Sequence, residues 1–264
     1  MRAVLHVSDV HFGPKHLPEL SQAVVELAAR ERPEVVVVSG DLTQRAKPGQ
    51  FRQARRWLET LPVPAVFVPG NHDVPMYRVW ERLLAPFGAW RRHFDGALVR
   101  DYRAEGLAVL GVNTAHAWTT KHGRLYRGER ARLARGLAAL PTDGFRTLVA
   151  HHPLAASERL RDEPVTAGAA AVLDLCRRHR VELILSGHLH HGFWLRAPRT
   201  GEGEGPLVVH CGTTTSTRGR AGERGRNSLN WIEIDDGSIR VERRFWDPRT
   251  SEFRSTDHTE ARRG

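Results

Sequence analysis

The polar residues able to do chemistry in this chain fall into five short clusters: Asp9 and His11 in SDVHFG, Asp41 in SGDLTQ, Asn71, His72 and Asp73 in PGNHD, His151 and His152 in AHHP, and His188, His190 and His191 in SGHLHHG. Carboxylate, imidazole and amide oxygen donors suit ions such as Mn²⁺, Fe²⁺/Fe³⁺, Co²⁺ or Zn²⁺. No thiolate accompanies them, because Cys176 falls in an apparent helix and Cys211 in an apparent strand, neither with a CxxC neighbour; both read as buried free thiols. One Asp or His after a strand is ordinary loop chemistry, whereas five repetitions call for a common cause. A carboxylate at a core edge costs roughly several kcal/mol unless paired or metal-bound, and no Lys or Arg adjoins Asp9 or Asp41. The i, i+2 pairs Asp9/His11 and His188/His190 would face one side if the chain there is extended.

Each cluster follows an apolar run. AVLHVS, EVVVVSG and AVFVPG read as strands, separated by helical patterns at LPELSQAVVELAARER and GQFRQARRWLETL. Continuous Val/Leu/Ile strands between helices indicate a sheet buried on both faces and at least partly parallel. A helix near MYRVWERLL precedes a hairpin about Glu105 and Gly106. Helices at GERARLARGLAAL and AGAAAVLDLCRRH then alternate with strands at FRTLVA and VELILSG. The expectation is one domain over 1–264, mainly β from about 192, with strands at GFWLRA, PLVVHCG, SLNWIEID and IRVERRFW. In open α/β sheets ligands bind beyond the carboxyl ends of the strands, where all five clusters lie.

Two Gly- and Arg-rich stretches interrupt the β-rich end. PRTGEGEG reads as a surface loop; TSTRGRAGERGR carries Arg218, a candidate phosphate contact. The ending FRSTDHTEARRG reads as a dimer contact or a frayed tail, so a homodimer is left open. The 264 residues carry a formal charge of +10, which favours anionic partners. Nucleic acid is permitted but not favoured, since no basic run interleaves with aromatics. With no apolar run long enough to span a bilayer and no secretory leader pattern, the expectation is a cytoplasmic protein with no membrane partner.

The five blocks, in this order from residue 8 to 192, resemble the signature blocks of the calcineurin-like metallophosphoesterases, and within them the bacterial class III cyclic-nucleotide phosphodiesterase branch. CGTTTSTRGR with NSLNWIEID resembles the C-terminal strands of that branch. The resemblance implies an α/β fold, a four-layer αββα sandwich of two mixed β-sheets flanked by helices. It also implies two metal ions, one held by Asp9, His11, Asp41 and His190, the other by Asp41, Asn71, His151 and His188. A hydroxide bridging ions about 3.5–4 Å apart would attack phosphorus. The activity implied is hydrolysis of cyclic nucleotides or other small phosphodiesters, with a nuclease or phosphomonoesterase as the alternative.

The resemblance further makes His72 the catalytic residue, donating a hydrogen bond or proton to the phosphate or its leaving oxygen. Gly70 would permit the sharp exit from the preceding strand. Where many relatives carry an Asp three residues after the bridging one, this chain has Gln44. Either the Gln44 amide or Asp73 would then orient His72, which would act mainly as a neutral donor. His152, His191 and Arg218 are expected around the metals or the substrate, while His6 is expected to be incidental. His116, His122 and Trp118 lie in a segment resembling a substrate-flanking loop, for which simple packing is the stronger expectation.

Overall fold

Four consecutive valines, Val35–Val38, are wholly buried, and their side chains go to two different cores. Val36 and Val38 face one, Val35 and Val37 the other, as the period-2 pleat requires. The computed structural model describes residues 1–155, 164–197 and 205–263; all but the last residue of PRTGEGEG lies outside them.

The first sheet is built from β1 (Arg2–Val7), β2 (Val35–Val38), β3 (Ala65–Phe67), β10 (Ser228–Ile234), β11 (Ser238–Asp247) and β12 (Glu252–Arg262), in the order β12-β11-β10-β1-β2-β3. Strands β1, β2 and β3 are parallel, and β10 to β12 antiparallel. The second sheet joins β4 (Tyr102–Ala104), β5 (Leu107–Val112), β6 (Phe145–Ala150), β7 (Leu183–Ser186), β8 (Phe193–Arg196) and β9 (Leu207–His210) in the order β4-β5-β6-β7-β9-β8. Here β5, β6, β7 and β9 are parallel, with antiparallel strands at both edges.

The sheets meet through Val4, Val37, Val66, Val109, Val149, Leu185 and Ile232. Outside the first sheet lie α1 (Pro18–Glu31), α2 (Pro48–Thr60) and α4 (Gly88–His93), through Leu20, Val24, Phe51, Trp57 and Trp90. Outside the second lie α5 (Arg127–Ala138) and α6 (Ala169–Arg178), through Leu133, Leu137, Val172 and Cys176. This is the expected αββα sandwich. Each fully buried aliphatic side chain contributes roughly 1.5–3 kcal/mol. Pro18 and Pro48 start α1 and α2, where a missing N–H costs nothing. Both cysteines are free and buried as expected, although Cys211 lies one residue beyond β9.

Two elements differ from the sequence reading. The ending is not a frayed tail: β12 pairs with β11 from Asp247↔Glu252 to Ser238↔Arg262, around a bulge at Arg243/Arg244. Its polar pattern hid it, since an edge strand with one solvated face needs few apolar residues inward, here Phe253 and Ala261. The short helix α4, unforeseen, exists to bury Trp90. Among the described residues no helix is long and apolar enough to cross a membrane.

Candidate metal centre

The five clusters sit in the loops after β1, β2, β3, β6 and β7, and their ligand-type side chains converge. They do not do so from extended chain. Asp9 (φ 51°), His11 (φ 53°), Asp41 (φ 53°), His188 (φ 72°) and His190 (φ 55°) all occupy the left-handed region, correcting the extended-chain expectation for the two i, i+2 pairs. Asp and His tolerate this conformation better than most residues, yet it costs about 1–2 kcal/mol each. Neighbouring backbone over-determines it: Asp9 N donates to Gly40 O (3.1 Å), His11 N to Asp41 O (2.9 Å) and Phe12 N to Leu42 O (2.8 Å). The first two loops therefore run in step and hold their carboxylates together.

Asp41 stands between two groups of donors. Its Oδ2 is 3.7 Å from His11 Nε2, and its Oδ1 is 3.4 Å from His151 Nε2. On the first side, Asp9 Oδ1 lies 3.6 Å from His11 Nε2 and 3.1 Å from His190 Nε2, and the two Nε2 atoms are 3.2 Å apart. On the second, Asn71 Oδ1 lies 3.2 Å from His151 Nε2 and 3.1 Å from His188 Nδ1. Atoms about 2.1 Å from one ion stand roughly 3.0 Å apart at a right angle and 4.2 Å when opposite, so all these separations suit shared cations. Asp9 Oδ1 and Asp41 Oδ2 are buried without a hydrogen bond, an arrangement that leaves them for a metal.

Hydrogen bonds outside the clusters orient the rings. His151 Nδ1 donates to Ser39 O (2.7 Å) and His190 Nδ1 to Arg218 O (2.8 Å). A carbonyl only accepts, so in both rings Nε2 presents its lone pair inward. Asp9 Oδ2 accepts from Ser8 Oγ (2.7 Å) and His188 N (3.0 Å), and Asp41 Oδ1 from His72 N (2.9 Å).

The electrostatics favour positive charge here. Burial pushes the Asp9 and Asp41 carboxyls up, but the surrounding histidines outweigh it and hold both well below the usual range. At His151 burial opposes protonation, yet Asp41 prevails and raises it to about 9. Its Nε2 thus demands a cation, which a metal ion supplies as well as a proton does. Burial lowers His11 to about 4 and His188 to about 3, keeping neutral imidazoles available.

Gly70 is needed for space. Its φ of −103° is open to any residue, so a sharp exit from β3 is not what requires glycine. A Cβ there would lie 2.0 Å from Asp41 Oδ1. At Gly187 a Cβ would lie 1.8 Å from Ser8 Oγ and 2.7 Å from Asp9 Oδ2.

His72 Nδ1 donates to the main-chain carbonyl of Gln44 (2.8 Å). Neither side chain expected to orient it occupies that position. The Gln44 amide oxygen instead accepts from Lys15 N (3.1 Å). Asp73 accepts from Leu42 N, Thr43 N, Thr43 Oγ1 and Gly70 N, tying the second and third loops together. With Nδ1 as donor, a neutral His72 is an acceptor at Nε2, which reverses the expected neutral-donor role. Arg218 Nη2 lies 3.2 Å from that atom. Asn71, His72, Met76, Tyr77 and Arg218 line a cavity of about 110 Å³ opening beside the donors.

His152 joins His151 and His188 in a group of close nitrogen donors, with Nδ1 2.7 Å from Thr114 Oγ1. Burial, then His188 and His151, hold it well below the usual range. His191 lies by Phe193, ring centroids 5.9 Å apart, outside both donor groups. His116 is packed against Tyr126 and Thr119, whereas Trp118 is exposed.

Several contributors lay outside the sequence reading. His6 is not incidental: buried beneath the site, it bonds to Ser39 Oγ (2.9 Å) and to Asn230 (3.2 Å). Thr213 Oγ1 and Thr215 Oγ1 donate to the carbonyls of Asp9 and Val10. Buried Glu223 accepts from Gly192 N (2.8 Å) and Ser228 Oγ (2.7 Å) and pairs with Arg243, bracing the loops of His190 and Arg218. The hydroxyl run TTTS was the only advance sign of any of these.

Known proteins resemble this chain in sequence and in fold. A transmembrane protein with metallophosphoesterase domain from Danio rerio is 30% identical over 198 residues, 73% of this chain and 40% of that protein. A cAMP/cGMP dual specificity phosphodiesterase from Mycobacterium tuberculosis is 29% identical over 253 residues, 88% of this chain and 74% of that one. In structure, a purple acid phosphatase from yellow lupin superposes with a TM-score of 0.70 at 13% identity, over 98% of this chain and 53% of that chain, a likeness of fold alone. Three of the curated relatives are matched over only 40%, 59% and 61% of their length. Residues 2–192 match the calcineurin-like phosphoesterase family, and with the five loops converging as described, the chain belongs to that family.

Proposed function

We propose that the chain is a two-metal phosphodiesterase acting on cyclic nucleotides or other small phosphodiesters. One observation carries the reading: the two oxygens of Asp41 face two separate donor groups. Asp9, His11, Asp41 and His190 would hold one ion, and Asp41, Asn71, His151 and His188 the other. The donor set fits Mn²⁺, Fe²⁺/Fe³⁺, Co²⁺ or Zn²⁺. When bound, such a pair supplies Lewis-acid activation of water and neutralises phosphate charge.

The chain's own groups do the rest. Arg218, held at the mouth, offers its guanidinium to a phosphate oxygen. His72, fixed by Gln44 O, carries a proton at Nε2 only as imidazolium, and can deliver it to a leaving alkoxide once substrate displaces Arg218 from that nitrogen. The small cavity between them admits the ester group. Relatives named for cAMP and cGMP hydrolysis support the substrate class; a cytoplasmic setting is part of the same reading, since such nucleotides are made and consumed there. We read the whole of 1–264 as one domain, because β10 to β12 complete the first sheet.

The test is turnover by the Mn²⁺-loaded protein of bis(p-nitrophenyl) phosphate, cAMP, cGMP, single-stranded DNA and p-nitrophenyl phosphate. Diester turnover abolished by chelation supports the reading; a loaded protein that prefers the monoester or the DNA overturns it. His72→Ala should keep both ions and lose about 100-fold in turnover.

A further inference from the structure

Most of the exposed large apolar side chains of the described residues crowd into one place. Between 76 and 84, Met76, Tyr77 (70% exposed), Val79, Trp80 (77%), Leu83 and Leu84 (81%) all face solvent. This stretch contains the helix α3 (Val79–Leu84). Trp118 (76% exposed) adds to it, because Arg82 of α3 donates to the carbonyls of Ala117 and Thr119 and so straps the Trp118 loop to the helix. Asn71 Nδ2 donates to Thr120 O, fastening the same loop to the third cluster. The apolar crescent thus forms the rim of the metal centre.

Singly exposed apolar residues need no explanation, whereas a contiguous set marks a surface that something covers. Its chemistry is that of a bilayer interface: two tryptophans, a tyrosine and aliphatic side chains beside cations. Arg45 lies 5.5 Å from the centre of the Tyr77 ring, Lys121 is exposed on the strapped loop, and Arg218 stands at the mouth. Glu81, the acid on α3, is paired with Arg78 at 2.8 Å. The formal charge of +10 adds to the attraction for an anionic surface. A second copy is the poorer occupant, since a twofold contact would set Arg45 and Lys121 near their own counterparts.

We propose that residues 76–84 with Trp118 dock the protein on an anionic lipid surface, with the mouth of the metal centre toward the bilayer. The sequence expectation of no membrane partner rested on spanning segments; a face that lies on the surface needs none. Bulk, negatively charged cytoplasmic leaflets are the natural source.

The experiment is co-sedimentation of the intact protein with vesicles of equimolar phosphatidylglycerol and phosphatidylcholine, and with phosphatidylcholine alone. Binding to the anionic vesicles, weakened by salt, is expected. The double variant Trp80→Ser/Leu84→Ser should lower the partition coefficient on the order of 30-fold while leaving turnover of soluble bis(p-nitrophenyl) phosphate unchanged; Trp118→Ser alone should give a smaller loss. The proposal is overturned if the wild type stays in the supernatant, if the double variant binds equally, or if sedimentation velocity shows a dimer that the double variant abolishes.

Discussion

The two donor groups that share Asp41 are unequal. The Asp9 side is wholly buried and sets two carboxylates against two imidazoles; the Asn71 side replaces one carboxylate by a neutral amide, and both Asn71 and His188 are half-buried at the mouth. Charge and burial both strengthen cation binding, so the Asp9 side should hold an ion the more tightly and the Asn71 side the more exchangeably. On the proposed reading the lesson is a division of labour: one group would anchor its ion, and the other would stand where substrate enters.

That comparison can be broken at its shared member. Asp41→Asn removes a charge from both sides, so metal analysis should find neither ion retained and diester turnover should fall by at least about 10³-fold. Gly70→Ala comes next: a Cβ 2.0 Å from Asp41 Oδ1 must displace the shared carboxylate, and a shift of that kind costs on the order of 10²-fold in turnover with the fold intact by circular dichroism. Asn71→Ala sharpens the asymmetry. Metal stoichiometry should fall from two to one under dialysis against dilute chelator, with the second ion bound at least about 10-fold more weakly; loss of both ions together would remove the distinction. The smallest effect belongs to Glu223→Gln, whose amide N–H₂ must face Ser228 Oγ or the donors Gly192 N and Arg243. About 10-fold weaker retention of the Asp9-side ion is expected, read by competition with a chromogenic chelator.

The core was legible because apolar period reports burial directly. Two-sided burial wrote β2 as an unbroken aliphatic run and β1, β6 and β7 as largely aliphatic ones, and amphipathic spacing wrote α1, α2 and α6. The misses share a cause. β12 carries almost no apolar signal, α4 is too short to show a period, and Glu223 acts through Gly192 and Arg243, which are distant in sequence. The i, i+2 argument failed at Asp9/His11 and His188/His190 because it assumed extended chain, where backbone bonds between loops enforce the left-handed region.

Residue order put five donor-bearing clusters at the carboxyl ends of buried strands, which is where ligands bind in α/β sheets; that three of those strands lie in one sheet and two in the other was not written in it. It could not say that a main-chain carbonyl of Gln44, not a side chain, holds His72, nor that Arg218 reaches that ring from 146 residues away. It also left unseen that an apolar rim borders the pocket. Those outcomes depend on where carbonyls point and which surfaces stay uncovered, and neither exists until the two sheets have packed.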